Sequence, residues 1–171
     1  AIPGALPPVG GWLAATGNIT YQTWVVFCLL FFWQIPHFLS IAWLYRTDYK
    51  KGGFKMFMID NEDRFQSNIL LVGFCILTLI FSLFLIPTPI ASITLISICA
   101  TIIMGLWYVI SALKMALKQC VKNARRLLFV SIIYIPAILI ILVIGNLGWE
   151  KIIISYAIYW NILNIRSTFL C

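Results

Sequence analysis

Four apolar runs constrain this chain more than any other feature. They are Thr23 to Leu44, Ile69 to Ile86, Ile90 to Leu113 and Leu127 to Ile144. Each is close to the ~20 residues that a helix needs to cross ~30 Å of hydrocarbon. They read as full transmembrane helices. The tight turn Pro87-Thr88-Pro89 joins the second to the third, and Gly145, Asn146 and Gly148 close the fourth. Ahead of them, Ile2 to Gly17 is apolar but interrupted by Pro3, Gly4, Pro7, Pro8, Gly10 and Gly11. This predicts the end of a kinked transmembrane helix, whose freed carbonyls need a protein-lined or wet cavity. Ile152 to Ile165 is apolar but short, and reads as an interfacial segment or an imperfect crossing. The expected fold class is all-α, a multi-span transmembrane helical bundle of about five spans.

Composition supports the same class. Of 171 residues, 63% are hydrophobic and 10% charged, where a soluble domain carries about a quarter of its residues as charges. The chain has too few charges to coat a water-facing surface, which excludes a soluble enzyme, a disordered tail and a secreted disulfide scaffold. The net charge of +7 raises the question of nucleic acid. No nucleic-acid partner is expected, because the charges cluster in loops between apolar runs, as membrane topology requires. Cys28, Cys75, Cys99, Cys120 and Cys171 show no CxxC pair or zinc-like spacing and read as small apolar packers. The chain opens on Ala1, with no Met and no signal-peptide n-region, and reads as a fragment of a longer protein.

Two loops hold ten of the twelve basic residues. Tyr45 to Gln66 carries Arg46, Lys50, Lys51, Lys55 and Arg64, together with Asp48, Asp60, Glu62 and Asp63. Lys114 to Arg126 carries Lys114, Lys118, Lys122, Arg125 and Arg126, and no acid. Two spans separate the loops, so both face one side, and the positive-inside rule makes it the cytoplasm or the matrix of an organelle. The turns on the other side, Gly17 to Gln22 and Pro87 to Pro89, are short and uncharged. Trp107, Tyr108, Trp149, Tyr156, Tyr159 and Trp160 read as interface anchors.

The chemistry concentrates between Phe31 and Met56. Gln34 and His37, the sole histidine, sit at mid-to-inner membrane depth on either side of Pro36. That proline leaves the carbonyl of Phe32 without its helical partner. Polar groups at such depth are costly unless they face a cavity or a partner. At ~100° per residue His37 and Asp48 share a face, ~16 Å apart if the helix runs unbroken. Trp33, Ser40 and Leu44 lie near that face. It would lead from an aromatic, polar zone to a mouth bearing Arg46, Asp48, Lys50, Lys51 and Lys55, then Gly52-Gly53. Such a surface suits a substrate with an anionic head and a large apolar body. A carboxylate can hold Mg²⁺, cations can hold phosphate oxygens, and glycines let backbone approach them. The residues alone also permit plainer roles. His37 can be a satisfied packing residue, the basic residues topological anchors, and Asp48 part of a surface ion pair.

Three blocks carry a resemblance: AIPGALPPVGGWLAATG, WQIPHFLSIAWLYRTDYKKGGFKM and NARRLLFVSIIY. In this order and spacing they resemble the protoheme IX farnesyltransferase (heme O synthase) family, within the UbiA-type superfamily of intramembrane prenyltransferases. The middle block is the most specific. The resemblance covers residues 1 to about 148, and the tail from 149 to 171 matches nothing in the family pattern. It implies nine transmembrane helices in a complete member, of which this chain holds roughly the last five. The family's first aspartate-rich motif would lie upstream. Its second polar motif maps onto Tyr45, Arg46, Asp48, Tyr49 and Lys50. Many UbiA-type enzymes have DxxxD there. Here Gly52 stands four after Asp48, which is similar to the heme-modifying branch.

The activity implied is transfer of a farnesyl group from farnesyl diphosphate to a vinyl group of heme B. Mg²⁺ is the implied cofactor, heme B a substrate and the bilayer a partner. The location would be the bacterial inner membrane or the mitochondrial inner membrane. By the same resemblance Asp48 would hold the metal, while Arg46, Lys50 and Lys51 would grip phosphate. Tyr45 and Tyr49 would bind diphosphate or wall the pocket. His37 and Gln34 would face the porphyrin, with Trp33 and Phe38 as chamber walls. Two other functions compete: a prenyltransferase acting on a quinone precursor, and a non-catalytic membrane subunit or carrier.

Overall fold

A computed structural model describes residues 2–53, 64–86 and 92–142, and among the described residues every regular element is a helix. They are α1 (Ile2–Thr16), α2 (Tyr21–Leu44), α3 (Arg46–Lys51), α4 (Arg64–Phe84), α5 (Ser92–Leu117) and α6 (Val121–Leu142). Four helices are long and apolar enough to cross a membrane: Tyr21–Leu44, Phe65–Phe84, Leu95–Leu117 and Val121–Leu142. With the family relationship given below, they make this an integral membrane protein of the all-α class. At 15 residues, α1 would span ~22 Å, short of the hydrocarbon thickness. It keeps helical form through Pro7 and Pro8, which cannot donate to the carbonyls of Pro3 and Gly4.

The helices outrun the apolar runs. The start of α4 takes in Arg64, Gln66, Ser67 and Asn68, and α6 begins ahead of Asn123, Arg125 and Arg126. The expected basic loop is therefore mostly helix ends around a short turn at Lys118–Cys120. Hydropathy marks where a helix meets lipid, but backbone hydrogen bonding carries it on into the polar zone. The ends are then closed by side chains. The Asn123 amide donates to the carbonyls of Lys114 (2.9 Å) and Lys118 (2.8 Å). Asn68 donates to the Ala116 carbonyl at 3.0 Å and accepts from Gln119 at 3.2 Å. These bonds place the start of α4 beside the α5–α6 turn. The charged ends thus lie together, as the spacing of the spans predicts.

Lipid offers little apolar driving force between helices, so close packing and hydrogen bonds must hold them. Small and polar residues accordingly turn inward: Ser40, Thr78, Ser82, Thr101, Ser111 and Ser131 are all buried. Gly105 lets α5 approach Leu79 of α4, where a Cβ would collide. On α6 the buried positions Ala124, Leu127, Val130, Ser131, Tyr134 and Ile138 make one stripe, the i, i+3, i+4, i+7 spacing of a single helix face. Phe129, Ile132, Leu139 and Ile140 are exposed on the remaining surface. Tyr108 and Tyr134 stack at the centre with centroids 5.2 Å apart, and the Tyr134 hydroxyl lies 2.9 Å from that of Ser82.

Tyr108 corrects an expectation. It is fully buried, with its hydroxyl donating to the Trp33 carbonyl at 3.3 Å. It sits nine residues before the end of α5 at Leu117, which is ~14 Å along the axis, too deep for an interface anchor. Gly145, Asn146 and Gly148, the tail from Trp149, the segment Ile152–Ile165 and the turn Pro87–Pro89 lie outside the described residues. So do Lys55, Asp60, Glu62 and Asp63.

Candidate functional site

Two polar regions on α2 and α3 carry the candidate residues. The first is at mid-helix. Pro36 is buried within α2, and around it the chain presents Trp33, Gln34 and His37. The ring of His37 stacks on Trp33 with centroids 5.0 Å apart and 21° between planes. Phe38 meets the same imidazole edge-on at 5.5 Å and is itself exposed. Both Trp33 and His37 reach α6 at one residue. The Trp33 indole N–H donates to the Ser131 carbonyl at 2.8 Å, and His37 Nδ1 lies 2.8 Å from the Ser131 hydroxyl oxygen. Trp33 therefore ties α2 to α6.

Gln34 faces the other way, toward α1. It is buried at 6% exposure, with its amide against Gly4, where an added Cβ would lie 2.5 Å from Nε2. The PGALPP block and the WQIPH block, separate in sequence, thus meet at one contact. A side chain at this position would make the Gln34 amide shift.

The second region is the charged rim, and here the structure departs from an unbroken helix. The long helix ends at Leu44, Tyr45 caps it with φ −99° and ψ 19°, and Arg46–Lys51 is a separate short helix. The helical register that aligned His37 with Asp48 does not carry through Tyr45. The amides of Asp48 and Tyr49 both bond back to the Tyr45 carbonyl, at 3.0 and 3.1 Å. Gly53, at φ +74°, follows the short helix in a conformation that a side chain would strain.

At the rim, Arg46 folds over Trp43. Its Cζ lies 4.0 Å from the centre of a Trp43 ring, and Nη1 donates to the Trp43 carbonyl at 3.1 Å. Trp43 is buried, so the guanidinium is held over a ring that is itself packed in place. Asp48 and Lys51 are exposed, Tyr49 is half-buried and Tyr45 exposed. Lys50 belongs to α3, and its side chain lies outside the described residues. Among the described residues no three His, Cys, Asp or Glu side chains gather to hold a metal ion. Asp48 offers a single open carboxylate. A Mg²⁺ ion that keeps waters and substrate phosphate oxygens as its other ligands requires only one or two carboxylates, so Asp48 fits as one ligand of such an ion.

A cavity of about 390 Å³ lies at the opposite end of α2, lined by Trp12, Thr20, Tyr21, Gln22, Phe84, Leu85, Ile86 and Leu142. None of these carries a formal charge at neutral pH, so the cavity offers neutral N–H and O–H donors, the unpartnered indole N–H of Trp12 among them, but no cation for a diphosphate. Ser131, the residue on which Trp33 and His37 converge, was not singled out from the sequence. Its signal was available: a lone polar residue inside an apolar run, within the NARRLLFVSIIY block.

Comparison with known proteins adds the family. Residues 1–133 match the UbiA prenyltransferase family. Among curated relatives, the protoheme IX farnesyltransferase of Solibacter usitatus is 37% identical over 138 residues, covering 81% of this chain and 47% of the relative. That of Salinibacter ruber is 34% identical over 84% of this chain and 50% of the relative. That of Opitutus terrae is 36% identical over 86% and 50%. The chain spans about half the length of the curated relatives it matches. No solved structure matches it. On the match across residues 1–133, the chain belongs to the UbiA prenyltransferase family.

Proposed function

We propose that this chain forms part of an enzyme that transfers a farnesyl group from farnesyl diphosphate to a vinyl group of heme B. Water adds in the same overall reaction, and the products are heme O and diphosphate. The observation that carries this reading is the similarity, over 81–86% of the chain, to relatives named protoheme IX farnesyltransferase.

The residues suit the chemistry in two zones. At the rim, Arg46 with Lys50 and Lys51 would hold the phosphate oxygens of the leaving group. Arg46 is already oriented by Trp43, so less side-chain freedom is lost on binding. Asp48 would hold Mg²⁺, which supplies neutralisation of the charge that grows on diphosphate as the allylic C–O bond ionises. Tyr45 and Tyr49 would donate hydroxyl hydrogens to diphosphate or close the mouth. In the mid-helix zone, Trp33 and Phe38 would line the path of the farnesyl chain. Aromatic faces favour an allylic cation, and an apolar wall keeps bulk water from it. His37 would face the porphyrin; Gln34, expected there as well, is instead buried against Gly4 of α1 and would serve the packing of α1 on α2. The catalytic domain would extend to residue 148, with residues 149–171 a separate apolar tail, and the rim would face the cytoplasm or the matrix.

The test is product analysis with the full-length protein in lipid. Heme B and 4-hydroxybenzoate are offered as rival acceptors with farnesyl diphosphate and Mg²⁺. Heme O, detected by mass spectrometry, supports the reading. Prenylation of the benzoate alone would assign a quinone-type acceptor instead. No diphosphate release with either acceptor would point to a non-catalytic subunit.

A further inference from the structure

The three contacts at Ser131 decide where the proton on His37 sits. The Ser131 hydroxyl is 2.6 Å from the Leu128 carbonyl oxygen and 2.8 Å from His37 Nδ1. A serine hydroxyl has one hydrogen to give, and a carbonyl oxygen can only accept. The hydrogen therefore goes to Leu128, since two oxygens 2.6 Å apart with no hydrogen between them would repel. His37 Nδ1 must then be the donor to Ser131. A neutral imidazole carries a single N–H, so Nε2 is left with its lone pair.

We infer that Ser131 is a positioning residue: it holds neutral His37 as the Nδ1–H tautomer and makes Nε2 an electron-pair donor. The ring cannot readily swap its edges. A half-turn about Cβ–Cγ would replace Nδ1 by a carbon at the Ser131 oxygen. The flat side of the imidazole is held by Trp33, whose indole is bonded to the same residue's carbonyl. Ser131 itself is fully buried. One residue of α6 thus sets the tautomer of His37 and, through Trp33, the plane of its ring.

The chemical consequence rests on the proposed function. An Nε2 lone pair suits an electron-pair acceptor, which for a heme substrate is either the iron or a proton released during reaction. It does not suit a hydrogen bond given to a propionate. Of the roles open to the sequence, the geometry selects accepting chemistry at Nε2.

The tautomer can be read directly by ¹⁵N NMR of ¹⁵N-histidine-labelled protein in lipid nanodiscs, with His37→Asn assigning the signal. The expected spectrum has a protonated, pyrrole-type Nδ1 and an unprotonated, pyridine-type Nε2. Ser131→Ala should move the ring toward the opposite tautomer, and Ser131→Thr should retain it. A protonated Nε2 in neutral His37 of the unsubstituted protein overturns the inference without any variant, and so does a spectrum that Ser131→Ala leaves unchanged. In turnover with farnesyl diphosphate and heme B, Ser131→Ala should lower kcat by roughly 10- to 100-fold, as loss of an orienting partner does elsewhere. KM for farnesyl diphosphate should stay the same, and Ser131→Thr should restore the rate. Ferric heme B alone separates the two acceptors. Imidazole-type ligand bands lost in His37→Asn identify iron, and an unchanged heme spectrum with lowered kcat identifies a proton. If the Nδ1–H tautomer is found but heme O is not formed, the functional reading fails while the tautomer assignment stands. If heme O is formed and Nε2 is protonated, the reverse holds.

Discussion

Gly4 of α1 and Gln34 of α2 touch so closely that a methyl group on Gly4 would lie 2.5 Å from the Gln34 amide nitrogen. Gln34 is buried, so its amide has little room to retreat. Gly4→Ala should therefore destabilise the helix pair by ~1–3 kcal/mol, the usual cost of overpacking. Combined with Gln34→Ala, which empties the space, the penalty should shrink. A coupling of at least ~0.5 kcal/mol in a double-mutant cycle, read from unfolding in detergent, is expected for residues in contact. Strict additivity would show that the two blocks do not meet.

The buried hydroxyl pair Ser82–Tyr134 predicts a smaller effect. Tyr134→Phe keeps the stack on Tyr108 and removes one interhelical hydrogen bond. Such bonds between membrane helices average ~0.6 kcal/mol and reach ~1.7 kcal/mol. Tyr134→Phe and Ser82→Ala should each lower stability within that range. Together they should cost little more than Ser82→Ala alone, because that variant already deletes the shared bond along with the Ser82 bond to the Leu79 carbonyl. Thermal unfolding of the two single variants and the double variant checks this.

Arg46→Lys separates charge from geometry. The positive charge stays, so insertion and orientation should be unaltered. The guanidinium contact over Trp43 and the planar fork are lost. If the rim holds diphosphate, KM for farnesyl diphosphate should rise roughly tenfold, which is ~1.4 kcal/mol. Trp43→Leu should raise it in the same direction, since it frees the guanidinium. An unchanged KM in both would leave Arg46 as a topological anchor.

Asp48 is accessible and sits in the first turn of α3, so substituting it should disturb the fold little. Asp48→Ala should lower turnover at least about a hundredfold, or ~3 kcal/mol, if its carboxylate helps hold the metal. Asp48→Asn should raise the Mg²⁺ concentration needed for half-maximal rate. Turnover and metal dependence equal to those of the unsubstituted protein would remove Asp48 from the site.

Much of the architecture was legible from residue order. Lipid-crossing helices announce themselves by length and apolarity, and the charged ends of α2, α4, α5 and α6 follow from where Lys and Arg interrupt them. The helix limits were less legible. Arg64 to Asn68 and Val121 to Arg126 are helical although polar, because backbone bonding does not stop where lipid does. Tyr45 was not legible as a break. Nothing in YRTDYKK forbids a continuous helix, and the cap is a property of backbone angles. The rim residues were all named from sequence, but the seat of Arg46 over Trp43 depends on a rotamer that sequence does not encode.

The amino-acid order by itself determined that the chain must be a helical bundle in a bilayer. In lipid the backbone is satisfied only in helices or closed β-barrels, and continuous apolar runs of about 20 residues suit the helix, where barrel strands alternate over about 10. It also determined that Gln34 and His37 would need partners, since polar groups at that depth are costly alone. Only the tertiary structure decided which partners. A membrane helix is apolar all round, so its periodicity does not reveal the inward face. Tyr108 turned out to lie in the core and Ser131 to meet both Trp33 and His37, because helix packing sets those rotations through contacts between residues up to 98 positions apart.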